Sequence, residues 1–346
     1  MSLTARLPFL RPVVHGAFRL QKRLRQLSRP VMHAARVARH VMAYRAPDEL
    51  TSCPVCGAAA PLPLLPVPIE GHGRTYGFAS GCLRCGVVFA NPLPSAAQVA
   101  EVYSPEGKWG RHRQDEQEKQ VSRGRIEQLF HPVADHLNVL APPAGAQVLD
   151  FGCGLGGMLD GLAALGWQTY GIEPAMKGAF ARHRELADIP ASGSFDLAIL
   201  HHVLEHITDP LTLLKQMAGA VREGGVLLIK VPNLDDVARH GDLKYCIRSG
   251  VHVLAYTSDC LSWLLAESGF QVVSDQAWMS KDLQRHRVVL GRRVRGPLVH
   301  PPSPLGSARK ALKAYADLNG RRTPLRMLPA RTQAAMLDLQ RREWRI

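Results

Sequence analysis

The stretch Val148-Leu149-Asp150-Phe151-Gly152-Cys153-Gly154-Leu155-Gly156-Gly157 reads as a buried strand entering a glycine-rich turn and then a helix. Glycines at such a turn let the backbone approach a ligand closely, and the helix N-terminus behind it offers free N–H groups. Gly152, Gly154 and Gly157 also satisfy G-x-G-x-x-G, so spacing alone leaves a nicotinamide cofactor and S-adenosylmethionine both open. The neighbouring acids separate them. Asp150, two residues before the first glycine, would oppose a doubly charged pyrophosphate but suits a ligand bearing an ammonium and a sulfonium. Glu173, at the end of the next apolar run, is placed to accept hydrogen bonds from both hydroxyls of a ribose. The candidate cofactor contacts are therefore Asp150, Gly152, Gly154, Gly156 and Glu173.

A second constellation lies upstream. Cys53-Pro54-Val55-Cys56-Gly57 and Cys82-Leu83-Arg84-Cys85-Gly86 have the same form. Two thiolates three residues apart can bind one ion from a single turn, and the following glycine accommodates that turn. Two such turns complete a tetrahedral S₄ site, which selects zinc or iron. Neither pair sits beside a thioredoxin-like βαβ unit, so a structural zinc held by Cys53, Cys56, Cys82 and Cys85 is expected rather than a redox pair. Cys153, Cys246 and Cys260 are read as small packing residues.

The elements that must position these residues follow from periodicity. From Gln147 onward apolar strand runs alternate with amphipathic helices. Strands are expected at Gln147–Phe151, Gln168–Ile172, Phe195–Leu200, Val226–Val231, Gln271–Ser274 and Arg287–Leu290. Helices are expected at Met158–Leu165, Ala175–Glu185, Pro210–Val221 and Ser258–Ser268. Such alternation implies a doubly wound, mostly parallel α/β sheet covered on both faces. Only 21 residues separate Glu173 from Phe195, little room for a helix and a third strand. The expected organisation is a basic amphipathic helical segment at 1–47, a zinc ribbon at 48–95, a helical linker at 96–145, the α/β domain at 146–295 and a basic helical extension at 296–346.

Charge is uneven along the chain. Its formal net value is +14, yet residues 1–47 hold ten Lys/Arg and no acid, and residues 281–346 hold 16 Lys/Arg against four acids. The body between them is therefore acidic. A protein that grips nucleic acid with its body has a basic body, so nucleic acid is disfavoured as a partner. No apolar run is long enough to span a membrane, and arginines interrupt any secretory core at the N-terminus. A cytoplasmic protein is expected, with the helices of residues 1–46 offering contact with an anionic membrane surface or with the acidic body.

Taken in order, several of these segments resemble class I S-adenosylmethionine-dependent methyltransferases. Val148 to Gly156 resembles their first motif, and Gly171-Ile172-Glu173-Pro174 their second-strand motif. Phe195 to His206, ending Leu204-Glu205-His206, resembles the fourth strand and its turn. Asp209-Pro210, Gly224-Gly225-Val226-Leu227-Leu228 and His252 to Phe270 resemble the segments that follow. Together they span roughly residues 147–275. The phrase Cys85 to Pro92 after two cysteine knuckles is similar to methyltransferases of deoxysugar, polysaccharide and natural-product pathways. The resemblance implies a Rossmann-like methyltransferase sheet behind a zinc ribbon, with S-adenosylmethionine as donor and a nucleotide- or lipid-linked sugar or another small molecule as acceptor. Asp188 is then the nearest candidate for the adenine amino group.

Methyl transfer needs mainly alignment, plus a base where the acceptor carries a proton. His201, His202, Glu205 and His206 follow the fourth strand, and His252 precedes the turn Tyr256-Thr257-Ser258. The catalytic candidates are His252 and His206, with His201 assigned to the adenine side of the cofactor. Thr257 or Ser258 reads as a helix N-cap. Val251 stands where carbon-methylating relatives carry a glutamate, which points to oxygen or nitrogen as the acceptor atom. RNA methylation, suggested by the basic tails, and a non-catalytic protein at a membrane surface are the competing readings.

Overall fold

The computed structural model describes residues 50–59, 61–68, 76–82, 84–104, 123–174, 183–236, 246–247, 252–279, 285–296 and 298. The helices expected in residues 1–46 and 296–346 lie outside them. The cysteine-bearing segment builds a small antiparallel sheet. Strands β1 (Leu62–Pro68), β2 (Tyr76–Gly81) and β3 (Val88–Asn91) pair in sequence order. Helix α1 (Ala96–Tyr103) starts at a capping box: the Ser95 side chain accepts from the Gln98 N–H, and the Gln98 side chain accepts from the Ser95 N–H. Helix α2 (Arg123–Phe130) follows, with a 3₁₀ turn at His131–Val133.

The second sheet starts at β4 (Gln147–Phe151), succeeded by helix α3 (Gly157–Ala163) and strands β5 (Gln168–Ile172), β6 (Arg184–Glu185) and β7 (Phe195–His201). Helix α4 (Pro210–Ala220) begins where Asp209 accepts from the Thr212 N–H and Pro210 fills a first-turn position that needs no donor. Then come β8 (Val221–Pro232), β9 (Leu254–Ala255), α5 (Ser258–Glu267), β10 (Phe270–Met279) and β11 (Arg285–Arg293). The N-cap of α5 is Thr257, whose hydroxyl accepts from the Cys260 N–H at 3.2 Å.

The large sheet runs in the order β10-β11-β8-β7-β4-β5-β6. Strands β6, β5, β4, β7 and β8 are mutually parallel, and β11 enters antiparallel between β8 and β10. From β4 the chain winds outward to β6, then returns to β7 and winds the other way. The carboxyl ends of β4 and β7 are thus the switch point where doubly wound sheets take ligands. The third strand is present, as the two residues of β6. That corrects the helix expected at Ala175–Glu185, whose last two residues are strand; residues 175–182 lie outside the described set.

One apolar core continues from the large sheet into the cysteine module. Leu149, Leu200, Leu204 and Tyr256 belong to the same buried cluster as Cys53, Cys85 and Phe89. Strand β9 joins the small sheet, with Val88 opposite Ala255 and Phe89 opposite Leu254. On the other face of the large sheet Ile126, Phe130 and Val133 pack over Val148, Leu197 and Leu228. No helix among the described residues is long and apolar enough to cross a membrane.

Candidate functional site

The glycine loop leaves β4 with three left-handed residues, Gly152 (φ 74°), Gly154 (φ 58°) and Gly156 (φ 80°). A Cβ on Gly152 would stand 2.6 Å from Val203 Cγ2, so the loop and the turn after β7 interlock only with glycine there. A Cβ on Gly154 would meet nothing within 4 Å, which leaves its backbone open to a ligand. The Gly152 and Cys153 N–H groups donate to the Ile172 carbonyl at 2.7 and 3.3 Å, tying the loop to β5. Gly156 is the N-cap of α3.

Two carboxylates flank this loop. Asp150 is 3% exposed and Glu173 5% exposed. The Gly154 N–H donates to Glu173 Oε2 at 2.8 Å, which ties the acid at the end of β5 to the loop. Burial first, then the nearby charge of Glu173, pushes the Asp150 carboxyl up to about 8. The positive charge of a cationic ligand would oppose both effects. Asp188 lies exposed beyond β6.

At the adjoining ends of β7 and β8 sits a cluster of imidazoles around one acid. Glu205, in the 3₁₀ turn Leu204–His206, is fully buried at 0% exposure. His202 Nδ1 donates to Glu205 Oε1 at 2.9 Å, and His206 Nε2 lies 4.0 Å from the same oxygen. Burial disfavours the Glu205 carboxylate. The His202 hydrogen bond and the charges of His202, His206 and His252 outweigh it and bring the group down to about 2. The His206 and His252 rings meet edge to face with centroids 4.9 Å apart. The two residues picked out as catalytic candidates are therefore brought together, beside Glu205.

His201 Nε2 lies 3.1 Å from Lys230 Nζ, and its ring meets that of His202 with centroids 4.9 Å apart. His202 adopts φ 56°, an uncommon conformation for a side-chain-bearing residue and one that concentrates at functional sites. Its ring stands 4.8 Å from that of His286. Burial, then Lys230 and His202, lowers His286 to about 2, so it is a neutral imidazole. Lys230 and His286 were not singled out from sequence. A lysine inside the apolar run Leu227-Leu228-Ile229-Lys230-Val231 was the available signal for the first. His286 reaches the site because β11 is antiparallel, pairing His286 with Pro232 at the carboxyl end of β8.

The four knuckle cysteines converge. Cys53 Sγ and Cys85 Sγ are 3.7 Å apart, Cys56 Sγ and Cys82 Sγ 3.5 Å, and all four sulfurs lie within 4.8 Å of one another. Thiolates about 2.3 Å from a tetrahedral zinc stand about 3.8 Å apart, so this donor set fits the ion. Gly57 and Gly86 donate to the Cys53 and Cys82 carbonyls, closing two like turns. Cys260 packs nearby. It is buried in α5, in the same apolar cluster as Cys85.

Residues 125–275 match the methyltransferase domain family. Over 114 residues the chain is 34% identical to a ubiquinone biosynthesis O-methyltransferase of Albidiferax ferrireducens, covering 28% of this chain and 45% of that protein. Over 115 residues it is 30% identical to the ubiquinone biosynthesis O-methyltransferase of Xanthomonas axonopodis pv. citri, covering 29% and 48%. The chain thus spans less than half the length of these relatives. Among solved structures, the 1,6-didemethyltoxoflavin-N1-methyltransferase of Burkholderia thailandensis aligns with a TM-score of 0.44 at 17% identity, covering 66% of this chain and 99% of that one.

Proposed function

We propose that this chain moves a methyl group from S-adenosylmethionine to a hydroxyl oxygen of a small molecule, a reading supported by the match of residues 125–275 to the methyltransferase domain family. The observation that carries this reading is the pair of buried carboxylates, Asp150 and Glu173, on either side of an open glycine loop at the sheet's switch point. Bound there, S-adenosylmethionine supplies a methyl carbon already activated by a sulfonium leaving group. Asp150 balances the positive charge of the methionine portion, and Glu173 accepts from the ribose hydroxyls. Gly152, Gly154 and Gly156 keep the backbone low enough for the nucleoside to pass, and His201 borders its adenine side.

The acceptor approaches from the ends of β7 and β8. Its oxygen attacks the methyl carbon in line with the carbon–sulfur bond; the new carbon–oxygen bond forms as that bond breaks. The hydroxyl proton leaves toward the cluster of Glu205, His206 and His252. Oxygen is preferred as acceptor atom because the curated relatives are named O-methyltransferases and Val251 departs from the carbon-methylating pattern. The acidic body, residues 48–280, argues for a small molecule over RNA. Cys53, Cys56, Cys82 and Cys85 suit one zinc ion with a closed coordination sphere, hence a structural one.

The test is transfer of label from S-adenosyl-[methyl-³H]methionine to a panel of catechols, phenols and nucleotide sugars. Label on the oxygen of one panel member supports the reading. Label appearing only on RNA, or no binding of the donor at all, contradicts it.

A further inference from the structure

Glu205 presents an unsettled account of its hydrogen bonds. Its Oε1 receives His202, but Oε2 is buried with no hydrogen-bond partner. A buried carboxylate oxygen left without a donor forfeits its hydration with nothing in return, and native proteins keep such groups only where something else satisfies them. The imidazole of His206 lies 4.0 Å from the other oxygen of this carboxylate, and the His252 ring stands against that of His206. The ligand-capable atoms of Glu205, His206 and His252 all lie within 4.8 Å of one another. The three come from two chain segments, the turn after β7 and the approach to β9, so their meeting is a product of the fold and not of local sequence.

We propose that Glu205 Oε2 and the ring nitrogens of His206 and His252 bind one divalent transition-metal ion, and that this ion receives the acceptor oxygen. The donor set is two imidazoles and one carboxylate, which suits manganese, iron, cobalt or zinc better than magnesium. Donors about 2.1 Å from an octahedral ion lie about 3 Å apart, so the side chains close by an ångström or two when it binds. Their backbone is already held. The Val253 N–H donates to the Glu205 carbonyl at 2.8 Å, and the Ala90 N–H to the Val253 carbonyl at 2.8 Å. The Tyr256 hydroxyl donates to the Leu204 carbonyl at 2.8 Å. The cysteine module thus braces the His252 segment through β3.

Three ligands on one side of the ion leave its remaining positions for acceptor oxygens. Glu205 and His202 serve second roles there, since Oε1 fixes His202 while Oε2 faces the ion. The location suits transfer: Val203, two residues before Glu205, packs on Gly152 of the donor loop. An acceptor with two adjacent oxygens, such as a catechol, chelates best. With the ion bound, Glu205, His206 and His252 hold it instead of taking the proton themselves; the ion lowers the pKa of the hydroxyl, and the proton leaves the same place by way of solvent water. No electron is exchanged.

This proposal rests on the methyltransferase reading for its role, but not for its test. The test is manganese(II) titration of the intact chain, carrying its cysteine-bound metal, followed by the loss of the free-ion electron paramagnetic resonance signal. One ion per chain at micromolar affinity is expected. His252→Ala and His206→Ala, at half-buried positions that a fold tolerates, should each weaken manganese at least tenfold while calorimetric affinity for S-adenosylmethionine changes less than twofold. Glu205→Gln should do the same if it folds. Absence of manganese binding, or binding unchanged in both histidine variants, overturns the site. Manganese bound as expected in a chain that ignores S-adenosylmethionine would sink the methyltransferase reading and leave the metal site standing.

Discussion

Asp150 makes donor binding depend on pH in a way that can be worked out beforehand. Buried beside Glu173, its carboxyl sits at about 8, so near pH 7 about nine chains in ten hold it protonated. A bound sulfonium and ammonium favour the carboxylate, and binding must expel that proton. In the limit where only the ionised form binds, affinity rises about tenfold from pH 6 to 7 and about fivefold from 7 to 8, then levels off. Calorimetry across pH 6 to 9, in buffers of differing ionisation enthalpy, reads both the trend and the proton, about 0.9 released per ligand near pH 7. Asp150→Asn should remove the dependence. Glu173→Gln should move the plateau to lower pH, because it deletes the second cause of the shift. The unliganded chain carries the opposite sign. A carboxyl raised in the folded state contributes stability that is fully present below its unfolded pKa near 3.8 and is lost as pH climbs through about 8. That loss is at most on the order of 6 kcal/mol at about 1.4 kcal/mol per unit. Affinity flat from pH 6 to 9 with no proton release would refute this placement of Asp150.

Three further outcomes are expected. Glu173→Ala should weaken S-adenosylmethionine by about 1.5–3 kcal/mol, measured by calorimetry at pH 8, since it removes charge-assisted bonds to two hydroxyls. Protein purified without added metal should contain tightly held zinc by elemental analysis, and a Cys53→Ser/Cys82→Ser variant should lose it together with thermal stability; full metal content in that variant would end the ribbon assignment. Full-length chain should co-sediment with anionic vesicles at low salt more than a chain starting at Asp48, given ten basic residues and no acid before it; equal behaviour of the two would leave docking on the acidic body as the role of that segment.

The strands of the large sheet were legible because each is a buried apolar run bounded by turn residues. Gln147–Phe151 and Gln168–Ile172 match their expected limits. Strand β8 begins earlier than its apolar core, at Val221, because Gly224 turns left-handed and Gly225 packs where a Cβ would stand 2.9 Å from the Phe195 carbonyl oxygen. Strand β6 was illegible for a simple reason. Two residues, Arg184 and Glu185, carry no period, and their strand character exists only as pairing with β5. The same holds for β9, whose union with the cysteine module was invisible to local pattern. Among site residues, the glycines, Asp150 and Glu173 stood out because a ligand demands those types at those steps. The histidines were visible as types but not as neighbours. Nothing local says that His252 meets His206, or that His286 comes back beside β8 to reach His202.

The most direct measurement is calorimetric titration of the intact chain with S-adenosylmethionine and its demethylated product, S-adenosylhomocysteine, at pH 8. One site per chain at micromolar affinity is predicted for the donor, lost in large part in Glu173→Ala. A chain that takes up neither nucleoside at millimolar concentration would contradict the proposed donor site between Asp150 and Glu173, and with it the methyltransferase function.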